Sequence, residues 1–178
     1  MNFQLIIPYL EEMRKSNPLS VIGYTRGSAC NIVDLHFFPA IANDVLKLVH
    51  PVISLDAGHL RSEYKGMLYI ASVLSGGDEI YPIGFMISTG NEDRKTWTKI
   101  LGLLKEACPI ISQQGFSAVN PERDAEDADA PPEAERSQFL FISDRDKGLK
   151  PALKEVFPDH VEMSCAKHIE ANVMQKFG

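Results

Sequence analysis

The sequence has no apolar run long enough to cross a membrane, and it has few cysteines. No stretch approaches the roughly 18 to 20 consecutive apolar residues that a membrane helix needs. The first residues, MNFQLIIPYLEEMRKS, carry charges where a signal peptide has its apolar centre. Cys30, Cys108 and Cys165 are odd in number and widely spaced, which argues against a disulfide framework. We therefore expect no membrane partner and a cytosolic or nuclear protein in a reducing compartment.

Basic residues are outnumbered, with 18 Lys and Arg against 24 Asp and Glu, for a net charge of −6. Phosphate binding depends on clustered Lys and Arg, so this balance is unusual for a nucleic-acid partner. Seven acids and two arginines between residues 120 and 136 carry −5 of that charge, which leaves −1 for the rest of the chain. We predict an acidic disordered insert at 119–137, most simply a solvated spacer; a self-inhibitory mimic of nucleic acid is the alternative.

The chain of 178 residues, 44% of them hydrophobic, is long enough for one core, so one domain is the default expectation. Residues 1–50 are predicted to be a mostly helical lead-in segment. A helical apolar spacing of Ile41, Val45, Leu48 and Val49 precedes Pro51, which would end that helix. His36 and His50 are expected to be ordinary packed or surface side chains.

From Val52 onward the pattern changes to short β-branched and aromatic runs. PVISLD, KGMLYIASVL and IYPIGFMIS predict a three-strand meander. Pro82 cannot donate a ladder hydrogen bond, so it places the third strand at a sheet edge. NEDRKTWTKILGLLKEAC predicts a crossover helix that buries Trp97, Ile100, Leu101 and Leu104. QFLFISD and HVEMS then predict two more strands, each followed by a helix. The expected fold class is α/β with a mixed sheet.

Asp56 and Asp144 each follow one of these strand-like runs. A strand, crossover and strand make a parallel pair, so both carboxylates would lie at carboxyl ends of strands if those two strands are neighbours. Two carboxylates about 5 Å apart repel unless a cation lies between them, and Mg²⁺ or Mn²⁺ prefers such oxygen ligands. The alternative is structural: an Asx turn or N-cap at either residue, with Gly58 marking a turn after Asp56 and Asp146 the better cap candidate near Asp144.

Two long segments carry a family resemblance, PVISLDAGHLRSEYKGMLYIASVLSGGDEIYPIGFMISTGNEDRKTW and FLFISDRDKGLKPALKEVFPDHVEMSCAKHIEANV. They resemble the catalytic domain of Mutator-like element (MULE) transposases, a branch of the DDE recombinases with an RNase H-like fold. The likeness covers residues 51–178 and, more weakly, the segment before them. The motifs that carry it are Asp56, His59-Leu60, Tyr64-Lys65-Gly66, Pro82, Asn91-Glu92, Trp97, Ile142-Ser143-Asp144, Lys147-Gly148-Leu149 and Cys165-x-x-His168.

The resemblance implies a site and a reaction. Asp56 and Asp144 would be the first two metal-binding acids, holding Mg²⁺ or Mn²⁺ for DNA strand cleavage and strand transfer. It implies DNA partners at the element ends and the target, a homo-oligomer in the active complex and a nuclear location. Cys165 and His168 would be the family's Cys-His motif, a possible zinc ligand pair, although one pair cannot close a four-ligand zinc site.

Two departures limit what the resemblance implies. Ala57-Gly58 replaces the family's usual turn residues after the first acid, and the third acid expected after the Cys-His motif is not found before Gly178. We therefore expect a partial domain, incomplete at its carboxyl end and inactive alone. The alternatives are a domesticated or degenerate DNA- or protein-binding module and an RNase H-like nuclease, against which Cys165-x-x-His168 argues.

Overall fold

The computed structural model describes residues 5–28, 31–61, 65–77, 79–112, 139–144, 148–166, 168, 170 and 174. The helices are α1 (Ile6–Ser16), α2 (Ala42–Val45), α3 (Arg94–Ala107) and α4 (Leu149–Val156), with a 3-10 turn at Pro109–Ser112. The strands are β1 (Val21–Arg26), β2 (Ile32–Phe38), β3 (Val52–Leu60), β4 (Gly66–Leu74), β5 (Ile80–Ser88), β6 (Leu140–Ser143) and β7 (Val161–Ser164). In the described ranges no helix is both long and apolar enough to cross a bilayer.

The strands form one open mixed sheet in the order β1-β2-β5-β4-β3-β6-β7. β3, β4 and β5 are the predicted meander, with antiparallel pairing throughout. After the α3 crossover the chain returns to the other edge of β3, where β6 pairs parallel to it, and β7 pairs parallel to β6. The α/β class and the neighbouring first and fourth strands of the predicted order are confirmed.

Residues 1–50 differ from the helical prediction, because residues 21–38 form the hairpin of β1 and β2. VIGYTR and IVDLHFF are rich in β-branched and aromatic residues, which favour strands. β2 then pairs antiparallel with β5 and so adds the hairpin to the same sheet. Periodicity missed the hairpin because neither strand alternates cleanly between buried and exposed residues.

Pro82 does not mark an edge strand, since β5 lies between β2 and β4. The physical reason is local. β2 pairs with β5 only from Phe85 to Ser88, so Pro82 lies beyond the end of that ladder. On the other side, the register with β4 shifts next to Ser72, the partner of Pro82. An interior strand therefore tolerates the missing N–H at an irregular position.

The segment around α2 buries only part of the predicted apolar spacing. Val49 is buried and Val45 packs against the core, whereas Ile41 and Leu48 are 65% and 84% exposed and Ala42 and Leu46 are buried instead. The set of buried residues differs from a helical stripe because α2 spans only Ala42–Val45. The turns that follow α2 direct other side chains toward the core.

The main core lies between one face of the sheet and α3 with α4. The predicted stripe of α3 is confirmed, with Trp97, Ile100, Leu101 and Leu104 buried. Trp97 packs edge-on against Tyr69 of β4, with ring centroids 5.0 Å apart and planes at 89°. Buried residues of β3, β4 and β6 alternate with more exposed ones, as a sheet with one covered face requires: Ile53, Leu55, Met67, Tyr69, Ala71, Val73, Phe141 and Ser143.

The alternate positions form the opposite side of the sheet, which we call the outer face. Its apolar side chains lie opposite one another across neighbouring strands: Leu68 with Ile87, Ile70 with Phe85, Leu140 with Val161 and Ile142 with Met163. Most of them are half-buried, and Val161 and Met163 at the β7 edge are 46% and 54% exposed. The outer face is thus both apolar and more accessible than the core face.

Gly84 of β5 makes room for the core. A Cβ atom at this position would lie 2.0 Å from Cδ1 of the fully buried Phe38. We predict that Gly84→Ala lowers the free energy of unfolding by about 1–3 kcal/mol, because a packed aromatic ring must move. Chemical denaturation of the purified variant measures this change.

The matched control is Gly102→Ala on the exposed side of α3, where an added Cβ meets nothing within 4 Å. Alanine there should raise the free energy of unfolding by about 0.5–1 kcal/mol, since glycine is a poor helix residue. Equal effects of the two substitutions would contradict the packing described for Phe38.

Candidate functional site

Three residues singled out in the sequence fall on one row across three parallel strands. Leu55 pairs with Ser143, and Ser143 pairs with Ser164. Asp56, Asp144 and Cys165 are the next residues along these three strands, one step beyond the last paired positions. The backbone N–H of Cys165 donates to the Ser143 carbonyl at 2.7 Å, which continues the β6–β7 ladder to this row. Adjacent positions in such a row are about 5 Å apart.

Asp56 lies within β3 and not at its end, contrary to the sequence prediction. The strand continues to Leu60, paired with Gly66 of β4, and Gly58 sits opposite Leu68 with no turn. Only the parallel ladder with β6 stops before Asp56, because β4 supports the strand further than β6 does. The exposed carboxylate accepts the backbone N–H of Ala57 at 3.0 Å. A strand residue with its carboxylate on the outer face does not support the turn interpretation.

Asp144 follows β6 directly, as predicted, and is half-buried. Its carbonyl accepts a hydrogen bond from the Ser143 hydroxyl at 2.8 Å. Helix α4 begins later, with Gly148 at its N-cap position. Asp146, the alternative cap candidate, lies outside the described residues.

Cys165 and His168 lie beyond β7, and both are half-buried. His168 is helical, and its Nδ1 is buried without a hydrogen-bond partner in the described part of the chain. Among the described residues, no group of three or more His, Cys, Asp or Glu side chains is placed to hold a metal ion. A zinc site at this pair stays a prediction. Cys108 is a poor additional ligand, since burial raises the pKa of its thiol to about 12.

The row therefore offers two oxygen-bearing side chains at adjacent positions on the accessible face. Carboxylates are the protein ligands that Mg²⁺ and Mn²⁺ prefer, so the donor set at Asp56 and Asp144 fits a divalent cation of this kind. His59, Arg61 and Lys65 are exposed near the far end of β3 and the start of β4. His59 pairs with the buried Met67 and so belongs to the face of the sheet opposite Asp56.

Other residues of the resembling motifs have structural contacts instead. The Asn91 carbonyl accepts from the Tyr69 hydroxyl and from Thr96 Oγ1, each at 3.2 Å. Glu92 Oε1 accepts from the Trp97 indole N–H at 3.3 Å. These hydrogen bonds hold the start of α3 against β4. Asn91, Glu92 and Trp97 therefore position the crossover helix, and they are not neighbours of Asp56 and Asp144 in the sheet.

Sequence reasoning missed a polar cluster formed by β1, β2 and α3. Asp34 is buried and forms an ion pair with Lys99 at 2.6 Å, and His36 lies on the same face of β2. The only sequence signal was the alternation of Asp34 and His36 with apolar residues in IVDLHFF. Its meaning depended on recognising that segment as a strand.

No known protein family matches this sequence, and no curated protein is significantly similar to it. The resemblance to Mutator-like transposases thus depends on the motifs alone, and its functional content is carried forward as a proposal.

The N-cap of α3 gives a test of this helix start. Asp93 accepts the Thr96 backbone N–H at 2.8 Å, and this bond lowers the pKa of Asp93 below its ordinary value of 3.8. We predict that Asp93→Ala lowers the free energy of unfolding by about 1 kcal/mol at pH 7. Because the folded pKa is the lower one, the difference should persist above pH 4 and disappear as the carboxylate is protonated at lower pH.

Denaturation at pH 7 and at pH 2.5 measures both values. Asp159→Ala is the control, because it removes an exposed carboxylate that has no hydrogen bond among the described residues. A pH-independent loss in Asp93→Ala would show that the cap does not act through its charge.

Proposed function

We propose that the chain is the catalytic-domain portion of a DDE transposase of the Mutator-like type, with an RNase H-like fold. The observation that carries the proposal is the parallel register of β3 and β6, which sets Asp56 beside Asp144. Those are the two positions that the resemblance makes the first and second metal-binding acids. Independent chemistry supports the same pair, because two neighbouring carboxylates without a cation repel.

In this proposal the chain's residues hold and orient the reacting groups. Asp56 and Asp144 bind Mg²⁺ or Mn²⁺ through carboxylate oxygens. The divalent cation supplies activation of a water or 3′-hydroxyl and stabilisation of the leaving oxygen. Asp56 is held by strand pairing with β4, so its backbone is fixed before substrate arrives.

Metal binding by the two carboxylates is the first test. Mn²⁺ at ten times its Kd should stabilise the wild-type protein by about 1.4 kcal/mol, and Asp56→Asn or Asp144→Asn should lose that stabilisation. Asp56→Asn should also be no less stable than wild type without metal, because it removes one partner of a repelling pair. Thermal unfolding with and without Mn²⁺ measures both effects.

Asp159→Asn is the control for the loss of a single exposed carboxylate, and it should keep the full Mn²⁺ response. Variants at Asp56 and Asp144 that bind Mn²⁺ as the wild type does would rule out the pair as a metal site.

Catalysis is the second test. A polypeptide that continues past Gly178 with the downstream reading frame, including an acid after His168, should cleave and join DNA strands in the presence of Mg²⁺ or Mn²⁺. Asp56→Asn and Asp144→Asn should each reduce strand transfer to background, because each removes a ligand of the cation. Strand transfer that survives both substitutions would remove these acids from the mechanism.

The second candidate function is a non-catalytic module that binds DNA or a protein. Val161 and Met163, exposed at the β7 edge, favour a protein partner, since exposed apolar surface marks interaction sites. For this function, binding to the partner should survive Asp56→Asn and should be lost when Val161 and Met163 are both replaced by Lys. The transposase proposal predicts instead that DNA strand transfer is lost in Asp56→Asn and survives the replacement of Val161 and Met163 by Lys.

A further inference from the structure

Where β1, β2 and α3 meet, a lysine joins three elements through polar contacts. The Asp34 side chain is 7% exposed, and its Oδ2 lies 2.6 Å from Lys99 Nζ. Lys99 Nζ also donates to Thr25 Oγ1 at 2.6 Å. One ammonium group thus ties α3 to both strands of the hairpin, and it occupies one of the two carboxylate oxygens of Asp34.

The second carboxylate oxygen faces a histidine. Asp34 Oδ1 and His36 Nδ1 are both buried, and neither has a hydrogen-bond partner among the described residues. The two atoms are 3.9 Å apart, and the His36 side chain is 12% exposed. That separation is too long for a hydrogen bond, so two buried polar atoms face one another unsatisfied, which is unfavourable.

The ring of His36 is limited on one side and borders a groove on another. A Cβ at Gly23 of β1 would lie 2.9 Å from His36 Nε2, so only glycine leaves the ring this space. His36 is also one of the residues lining a groove of about 870 Å³ between α1, β1 and α3. Groups around it include Glu11 and Arg14 of α1, Val21 of β1, and Leu103 and Glu106 of α3.

We propose that His36 and Asp34 form a proton-operated switch that changes the floor of this groove. Uptake of a solvent proton at Nδ1 forms an N–H bond, and this N–H donates to Asp34 Oδ1. The gap closes from 3.9 Å to about 2.8 Å, the length of a charge-assisted hydrogen bond. The ring tilts toward Asp34 and away from its present place in the groove lining.

The surrounding charges set where the switch operates. Burial, the largest effect, lowers the pKa of His36, and Lys99 lowers it further, whereas Asp34 and Glu106 raise it. From α1, the groove also presents Glu11, Arg14 and Lys15. The switch therefore closes below the ordinary imidazole pKa of about 6.5. Since the folded pKa is the lower one, the stability contributed by neutral His36 is full above about pH 6.5 and declines as the pH falls toward the folded value.

Side-chain NMR of the intact chain over pH 4 to 8 tests the switch. We expect the His36 ring to titrate below about pH 6.5, and the amides of Val21 and Leu103 to shift with the same midpoint. At the acidic end a proton on Nδ1 should exchange with solvent more slowly than the ring protons of the exposed His50. Groove amides that do not respond to pH, or an Nδ1 proton that exchanges as fast as that of His50, would overturn the proposal.

Two variants separate the switch from general acid effects. Asp34→Asn should weaken proton binding by His36 about tenfold, a downward pKa shift of about one unit, and should abolish the exchange protection. Lys99→Met removes the competing cation and should shift the titration upward while the protection remains. If Asp34→Asn does not fold, Lys99→Met decides: retained protection supports the switch, and lost protection refutes it.

Discussion

The candidate site depends on the parallel pairing of β3 with β6. Parallel strands cannot be joined by a short turn, so the chain must cross the sheet between them. α3 lies in that crossover and packs against β4 through Trp97 and Tyr69. The register of that pairing then decides which residues become neighbours, and it sets Asp56 beside Asp144. A slip of one residue would turn one carboxylate toward the core.

Contacts at the start of α3 account for motif residues that lie far from Asp56 and Asp144. Tyr69 contacts Trp97 through its ring and the Asn91 carbonyl through its hydroxyl, so β4 holds both the helix and the loop that begins it. Glu92 satisfies the indole N–H that the buried tryptophan would otherwise leave unpaired. Several residues of the motif thus have described contacts that hold the crossover in place.

Much of the carboxyl-terminal architecture was predictable, because its signals are local. The apolar stripe of α3 and the run FLFIS before Asp144 have clear periods, and the crossover rule turns them into a parallel pair. The amino-terminal hairpin was missed because its strands carry no clean alternation of buried and exposed residues, although β1 and β2 are neighbours in sequence. The sequence identified Asp56 as a candidate but not its position inside β3. β3 continues past Asp56 because it pairs with β4, and the residues SLDAGHL alone do not show that pairing. The polar cluster at Asp34 could be recognised only once β1 and β2 were known to be strands.

β3, which contains Asp56, and β6, which Asp144 follows, lie far apart in the sequence, and this separation affects when they pair during folding. β3, β4 and β5 are joined by short connections, so their ladders close small loops and form early. β6 reaches β3 only after a much longer loop has closed, Val52 lying beside Leu140, and loop closure costs entropy before any contact is gained. We therefore expect Asp56 to be fixed in the meander before β6 pairs with β3, so that the two acids come together late in folding.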